Sequence, residues 1–175
     1  MTFEHWAQLV GLVATLVIAS SYQAKTKRGL LLVQSPGIVI LCIHYLMLGA
    51  SSGFALNVVC LTRNACFFFE KEKTKLYYVT TGVLMCAMVV VGLFSWQGPI
   101  SLLLLLALAA NTFFISLGKQ QVLRYSILVT SSMVLIYNIA VSSIGGILTE
   151  AISIFSAAVG IVRFLRVGKT KADAV

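Results

Sequence analysis

The sequence predicts an all-α integral membrane protein with seven transmembrane helices, arranged as two parallel three-helix bundles joined by a linker helix (3+1+3). Of its 175 residues, 59% are hydrophobic and only 10% are charged. Soluble domains carry about 25% charged residues, so this chain cannot hide its apolar surface from water. Since no polar stretch is long enough to form a soluble domain, the lipid bilayer is the first expected partner.

The basic residues predict how the chain crosses the bilayer. Almost all of the thirteen Lys and Arg residues fall into four clusters, separated by apolar sequence long enough for two crossings. The clusters are Lys25/Lys27/Arg28, Lys71/Lys73/Lys75, Lys119/Arg124 and Arg163/Arg166/Lys169/Lys171. Cytoplasmic loops are rich in Lys and Arg, so we expect the N-terminus outside and the C-terminus in the cytoplasm. The net charge of +8 then reflects loops beside anionic lipid, and nucleic acid is not an expected partner.

Seven segments are apolar over the length that spans a bilayer. They cover roughly residues 6–23, 29–48, 53–69, 76–94, 99–117, 121–141 and 146–165, where a spanning helix needs about 20 residues. The loops between them are very short, so neighbouring helices are expected to pack antiparallel.

Local sequence supports these segments in turn. The first begins at Trp6, an interfacial residue type, and lacks the positive start of a signal peptide. The second contains Pro36, which is expected to kink the helix or to free a carbonyl group. The third and seventh follow turns of small residues, and the sixth follows the third basic cluster. The fourth begins near the interfacial pair Tyr77-Tyr78, and the fifth has Pro99 in its first turn.

Helices one to three and five to seven follow one plan. Each trio has a basic inner loop, an outer turn of small residues (49–53 or 142–146) and a basic inner end. This pattern is typical of a parallel repeat with a linker helix, although few residues match between the halves. The predicted divisions are 1–70 for the first bundle, 71–97 for the linker helix, 98–167 for the second bundle and 168–175 for a short basic cytoplasmic tail.

Three ionisable residues within the spans are candidate functional residues. Arg63 lies outside the clusters, near mid-depth in helix three. A central Arg costs at least about 2.5–3.5 kcal/mol on insertion, so it suits an anion or substrate-carboxylate contact, a gating ion pair, a structural ion pair, or a side chain that snorkels to the cytoplasmic face. Glu150 is the only acid in a predicted span; it can bind a cation, carry a proton, pair with Arg63, or be solvated at the interface. His44 suits proton coupling, although a hydrogen-bonded core histidine is the favoured interpretation.

Amides and a phenol complete the candidate transport path: Asn57, Asn111, Tyr137 and Asn138. When Gly53 is aligned with Gly146, Asn57 and Glu150 take equivalent places, which would set two polar groups across the repeat axis. For any single Asn, an interhelical hydrogen bond is the favoured interpretation.

Metal and enzyme chemistry are not expected. The four cysteines lie in apolar segments without metal-ligand spacing, so neither a metal site nor a cofactor is predicted. The chain also lacks the clustered acids, histidines or nucleophile with its base that membrane enzymes usually carry.

Several motifs resemble the bacterial inner membrane protein YgjV family. The stretch Tyr137 to Arg166 has that family's Asn, then Ser-Ile-Gly-Gly (143–146), then Glu, then Arg-Phe-x-Arg (163–166) at matching spacings. The N-terminal Ala7-Gln8-x-x-Gly11 and the spacing from His44 to Arg63 are also similar. The likeness covers nearly the whole chain and is specific in the last segment, but Tyr137 stands where the family can show His, so no histidine role transfers to that position.

The resemblance implies a bacterial inner membrane location and a shared helix plan, without a substrate. The 3+1+3 plan also resembles the SWEET and PQ-loop transporter group in architecture, although the Pro-Gln dipeptide of that group is absent. Fold does not fix function.

Three functions remain open on this sequence. The first is a small-solute transporter with alternating access around a polar site between the trios, with Arg63 hinting at an anionic or zwitterionic substrate and Glu150 and His44 leaving proton coupling open. The second is a small channel formed by a homo-oligomer. The third is a non-transporting scaffold or receptor module, whose polar residues would be structural.

Overall fold

The described part of the chain forms seven helices. The computed structural model describes residues 3–21, 27–70, 72, 74–117 and 120–172. The helices are α1 (Phe3–Ser21), α2 (Lys27–Met47), α3 (Ser51–Phe69), α4 (Lys75–Phe94), α5 (Ile100–Ser116), α6 (Gln120–Ala140) and α7 (Ile144–Ala172). No strand occurs among these residues, so the all-α class is confirmed.

The predicted helix boundaries agree with these ranges to within one helical turn, except at the end of α7. That helix continues to Ala172, through most of the predicted tail. No proline interrupts the segment, and basic residues suit the last turns of a helix. The final residues of the predicted tail, 173–175, lie outside the described residues, as do Lys25, Lys71, Lys73 and Lys119 of the basic clusters.

Five helices are long and apolar enough to cross a membrane: Phe3–Ser21, Arg28–Met47, Ser51–Phe69, Lys75–Phe94 and Ile144–Val162. α5 is apolar but has only 17 residues. α6 is more polar, because it carries buried Ser126, Thr130, Ser131 and Asn138 that face the bundle. Five of the described helices could therefore span a membrane by length and composition, and seven crossings stay a prediction.

The helices pack mainly on their chain neighbours. α1 packs on α2, α2 on α3, α5 on α6 and α6 on α7. The packing of α1 on α7 and of α3 on α5 joins the group α1–α3 to the group α5–α7. α4 packs against α3 and α5. Large apolar side chains such as Leu16, Phe69, Phe94 and Phe155 point outward, each more than 70% exposed, as expected for a surface solvated by lipid.

The contact between α1 and α7 is a backbone-to-backbone approach. A Cβ added at Gly145 would overlap the backbone of Gly11. Thr15 Oγ1 lies 2.7 Å from the Gly145 carbonyl oxygen and 2.9 Å from Thr149 Oγ1. Small residues and short hydroxyl contacts are how helices associate tightly in lipid.

Two short turns, α2–α3 and α6–α7, share one hydrogen-bonding pattern. Gly49 N–H donates to Leu46 and Ala50 N–H to Tyr45; Ser142 N–H donates to Ile139 and Ser143 N–H to Asn138. These are the paired bonds of a Schellman motif, which needs a left-handed residue at its centre. Gly49 has φ 70° and Ser142 has φ 54°. Corresponding residues of the two turns are 93 positions apart in the sequence. Tyr45 and Asn138 are the same distance apart.

We predict that Gly145→Ala disrupts the fold, because its methyl group must push α7 away from α1. The expected cost is about 1–3 kcal/mol, typical of overpacking. Gly82→Ala is the matched control, since nothing lies within 4 Å of its Cβ position and Ala is the better helix former. Thermal unfolding in detergent checks this, with a thiol-reactive dye reporting exposure of the buried Cys42 and Cys60. Equal unfolding temperatures for the two variants would contradict the close approach.

Candidate functional site

A half-open pocket of about 320 Å³ lies between the two short turns. Its walls come from the α2–α3 turn, the α4–α5 connection and the end of α6. The lining residues are Leu48, Gly49, Ala50, Gln97, Ile100, Tyr137, Ala140, Val141 and Ser142. Both halves of the chain therefore contribute to one concave surface at the end of the bundle that carries the turns, called here the turn end.

A buried hydrogen bond joins the two halves next to this pocket. The Tyr45 hydroxyl of α2 donates to Asn138 Oδ1 of α6 at 2.7 Å, and both side chains are at most 1% exposed. Glycines make room for them. A Cβ at Gly53 would lie 2.9 Å from the Tyr45 ring and from Tyr137 Oη, and a Cβ at Gly146 would overlap the Asn138 amide.

Two buried donors at this place lack a well-formed hydrogen bond. Asn138 Nδ2 has no partner among the described residues. The Tyr137 hydroxyl faces the backbone of Gly53 without a well-aligned hydrogen bond to any residue that the structure describes. Buried polar groups are almost always partnered, so these two are exceptions, and neither atom is exposed to the pocket.

Glu150 and Asn57 are each six residues into their helices, α7 and α3. Asn57 Nδ2 donates to the Gly53 carbonyl of its own helix at 2.7 Å. The Glu150 carboxylate, partly buried, faces the Ser131 hydroxyl of α6 and is close enough to Tyr45 to interact electrostatically. Glu150 therefore lies near Tyr45, whereas the hydrogen bond of Asn57 stays within its own helix, and their placement across a repeat axis stays a prediction.

His44 is fully buried and hydrogen-bonded at both ring nitrogens. Nδ1 lies 2.7 Å from the Ala7 carbonyl oxygen and Nε2 lies 2.7 Å from Ser143 Oγ. A carbonyl oxygen only accepts, so these partners assign the neutral tautomer with the proton on Nδ1. Ser143 also caps α7, since its Oγ accepts from Gly146 N–H at 3.0 Å. The favoured interpretation of His44 as a core histidine fits this geometry.

Two glutamines each donate a hydrogen bond to a carbonyl oxygen at a turn and accept one from an N–H group there, and these paired bonds are called here the glutamine clasps. The sequence interpretation missed them. Gln8 of α1 donates to the Ser142 carbonyl at 2.8 Å and accepts from Ile144 N–H at 3.0 Å. Gln97 donates to the Gly49 carbonyl at 2.9 Å and accepts from Ser52 N–H at 3.1 Å. Gln8 of the first trio thus binds the turn of the second, and Gln97, which precedes α5, binds the turn of the first.

Arg63 lies elsewhere, at the contact between α3 and α5. Its guanidinium donates to Asn64 Oδ1 at 3.2 and 3.0 Å and to Thr112 Oγ1 at 3.2 Å. Asn64 Nδ2 in turn lies 3.4 Å from Gln34 Oε1 of α2. The side chain is 4% exposed, and no carboxylate within the described ranges pairs with it. Asn111, the neighbour of Thr112, keeps a buried Oδ1 without a described partner.

The structure does not bring Arg63 and Glu150 together. Arg63 is 12 residues into α3, and Glu150 is 6 residues into α7 from the same end. At about 1.5 Å per residue they differ in depth by roughly 9 Å. Their hydrogen-bonding neighbours are different, and no ion pair between them occurs.

Comparison with known families finds one family model that covers most of the chain. The model of the Imp-YgjV family, described as bacterial inner membrane protein, matches residues 5–167. The chain belongs to this family. No protein among the curated ones and no solved structure matches it significantly. The YgjV-family assignment and the five spanning helices place the chain in the bacterial inner membrane.

The YgjV-family motif Ala7-Gln8-x-x-Gly11 has a role at each named position. Ala7 offers its carbonyl to His44, Gln8 clasps the α6–α7 turn, and Gly11 makes room for both His44 and Gly145. Within the described part of the chain, no three His, Cys, Asp or Glu side chains come close enough to share a metal ion.

We predict that the effects of Glu150→Gln and Arg63→Gln on stability are additive, because the two side chains share no partner. Each single variant should lower the unfolding temperature, and the double variant should lower it by the sum. The double-mutant cycle should give a coupling free energy between the two residues within about 0.5 kcal/mol of zero. A double variant more stable than Glu150→Gln alone would mean that the two residues do pair.

Proposed function

We propose that this YgjV-family protein is a small-solute transporter whose two halves hold the substrate between them and alternate its access to the two sides of the membrane. The observation that carries the proposal is the Tyr45–Asn138 hydrogen bond beside a pocket lined by both halves. Polar sites at the junction of two repeats are where secondary transporters bind their substrates.

The proposal includes a doubled 3+1+3 plan, which the turns support. In this plan α1, α2 and α3 are the counterparts of α5, α6 and α7. The α1–α2 contact then corresponds to the α5–α6 contact, and the α2–α3 contact to the α6–α7 contact. The α3–α5 contact likewise corresponds to the α7–α1 contact. Residues of a two-fold repeat touch their own counterparts only near the axis, and Tyr45 and Asn138 are such counterparts. In this arrangement α4 is the linker helix.

The proposal also includes an orientation. Arg28, Lys75 and Arg124 lie near the helix ends opposite the two turns. Basic ends stay in the cytoplasm, so the pocket opens to the outside and the N-terminus lies outside. Substrate would enter between the turns and leave toward the basic end.

Rocking of one half against the other would alternate the access. The joints available for this movement are the α1–α7 and α3–α5 contacts and the two glutamine clasps. Glu150, beside the Tyr45–Asn138 bond, is the residue best placed to carry a coupling proton or cation. His44 holds α1, α2 and the α6–α7 turn together, and Arg63 holds α3 to α5.

Uptake into proteoliposomes tests the proposal. The purified protein should give saturable, solute-selective uptake, and Tyr45→Phe should reduce it about tenfold or more, because Asn138 Oδ1 is left without its donor (about 1–3 kcal/mol). Tyr78→Phe is the matched control, since this tyrosine is half exposed on the outer surface of α4 and should transport normally.

Other outcomes would replace the proposal. Large, non-saturating ion currents would indicate a channel instead. No flux for any solute, with a correctly folded protein, would favour a scaffold or receptor role.

A further inference from the structure

Arg124 of α6 lies directly against the backbone of α7. Its Nη1 donates to the Gly160 carbonyl oxygen at 3.0 Å. A Cβ added at Gly160 would lie 2.8 Å from Arg124 Nε and 3.0 Å from its Cζ, so a larger residue there would displace the guanidinium. Gly160 begins the last part of the YgjV-family motif, which ends at Arg166. This glycine therefore holds a part-buried cation at one place on the α6–α7 contact, called here the α6–α7 basic site.

Further positive charge follows along α7. Arg163 comes three residues after Gly160, and Arg166 comes three residues later. Residues three or four apart lie on one face of a helix, so the α7 backbone places Arg163 on the side that carries Gly160, about 4.5 Å further along the axis. Like charges on neighbouring turns repel each other, and an anion bound among them removes this repulsion.

The helices around this site supply no nearby counter-charge. α6 and α7 pack on each other, and their other main contacts are with α5 and α1. Along these four helices the only acidic residues are Glu4 and Glu150. Glu4 begins α1 at the turn end, and Glu150 precedes Gly160 by about 15 Å along α7. The two glutamates between α3 and α4 adjoin helices that share no main contact with α6 or α7, and Asp173 lies outside the described residues. An anion from another molecule therefore suits the site.

The site lies at the depth of lipid headgroups. The part of α7 that is apolar enough to span a membrane ends at Val162, so Arg124 lies where the hydrocarbon core gives way to the headgroup region. Phe164 and Leu165, the next apolar residues of α7, are 55% and 57% exposed. A phospholipid brings both a phosphate, which arginine binds well, and acyl chains for this apolar surface. A soluble anion brings only charge.

We infer that the α6–α7 basic site binds the phosphate group of an anionic phospholipid, with Arg124 as the main contact and the arginines of α7 as added positive charge. The general attraction of basic loops to an anionic surface does not require a fixed position, whereas Gly160 fixes the position of this guanidinium. The site is at the end of the bundle opposite the turns, so the inference does not depend on the proposed transport function.

Binding of defined lipids to the full chain tests the site. The protein is purified in a neutral detergent and mixed with phosphatidylglycerol, with phosphatidylcholine of the same acyl chains, or with inorganic phosphate. Native mass spectrometry should show a one-to-one adduct with phosphatidylglycerol, formed about tenfold more tightly than with phosphatidylcholine, whose ammonium group offsets the phosphate charge. Phosphatidylglycerol should also raise the unfolding temperature, and inorganic phosphate should not.

Variants separate the site from general electrostatic attraction. Arg124→Gln should weaken phosphatidylglycerol binding about tenfold, the effect of losing hydrogen bonds to a charged group. Arg28→Gln is the matched control, because Arg28 is exposed at the same end of the bundle and its loss changes the net charge equally. It should weaken binding less than about twofold, since exposed charges are screened. Gly160→Ala keeps the charge but displaces Arg124, so it should weaken binding as Arg124→Gln does.

Three outcomes would overturn the inference. Equal weakening by Arg124→Gln and Arg28→Gln would indicate diffuse attraction to the basic surface. Equal binding of phosphatidylcholine would exclude a preference for anionic lipid, and equal stabilisation by inorganic phosphate would indicate a site for soluble anions. Unfolding temperatures without lipid show whether each variant is folded, and if Arg124→Gln is not, Gly160→Ala decides the test.

Discussion

Hydrogen bonding of the backbone at the two short turns is the constraint on which the bundle depends. A helix end leaves carbonyl and N–H groups unpaired, and near the bilayer water cannot be relied on to satisfy them. Here the Schellman bonds at Gly49 and Ser142 satisfy some of these groups. Ser143 and the two glutamines satisfy others. The chain can therefore reverse direction within three residues, which keeps α2 on α3 and α6 on α7 and sets the walls of the pocket.

The same constraint couples the halves. Gln8 of the first trio caps the turn of the second, and Gln97, in the α4–α5 connection, caps the turn of the first, so each turn depends on a residue from outside its own trio. His44 adds a second connection, because Ser143 both caps α7 and bonds the imidazole. The short, small-residue turns are thus structural parts of the interface between halves. A movement of the halves would have to preserve these bonds or exchange them for others.

Hydropathy and charge predicted the helices well, because lipid exposure demands long apolar stretches and basic residues avoid crossing. The spacing of the turn glycines also led to Glu150, which lies near Tyr45, and to Asn57, whose amide bonds within its own helix. The Tyr45–Asn138 bond was not predictable, since Tyr45 and Asn138 are different residue types at equivalent positions. Gln8 and Gln97 were missed for a similar reason. One lies in a helix and the other in a loop, so only the three-dimensional arrangement shows that they make equivalent hydrogen bonds to the turns. Gln8 lay within a recognised family motif, which was the one available signal.

Arg63 shows why charge alone is a weak guide to the site. An arginine within the membrane is expensive unless its donors are satisfied, and a carboxylate is the partner that sequence reasoning looks for. Here neutral dipoles from Asn64 and Thr112 take that place, in a contact that joins α3 to α5. Four buried side-chain atoms of the described residues lack a partner, and two of them, Tyr137 Oη and Asn138 Nδ2, lie where the two halves of the chain meet. A buried charge that its neighbours already solvate is explained by packing, and it does not by itself mark a binding site.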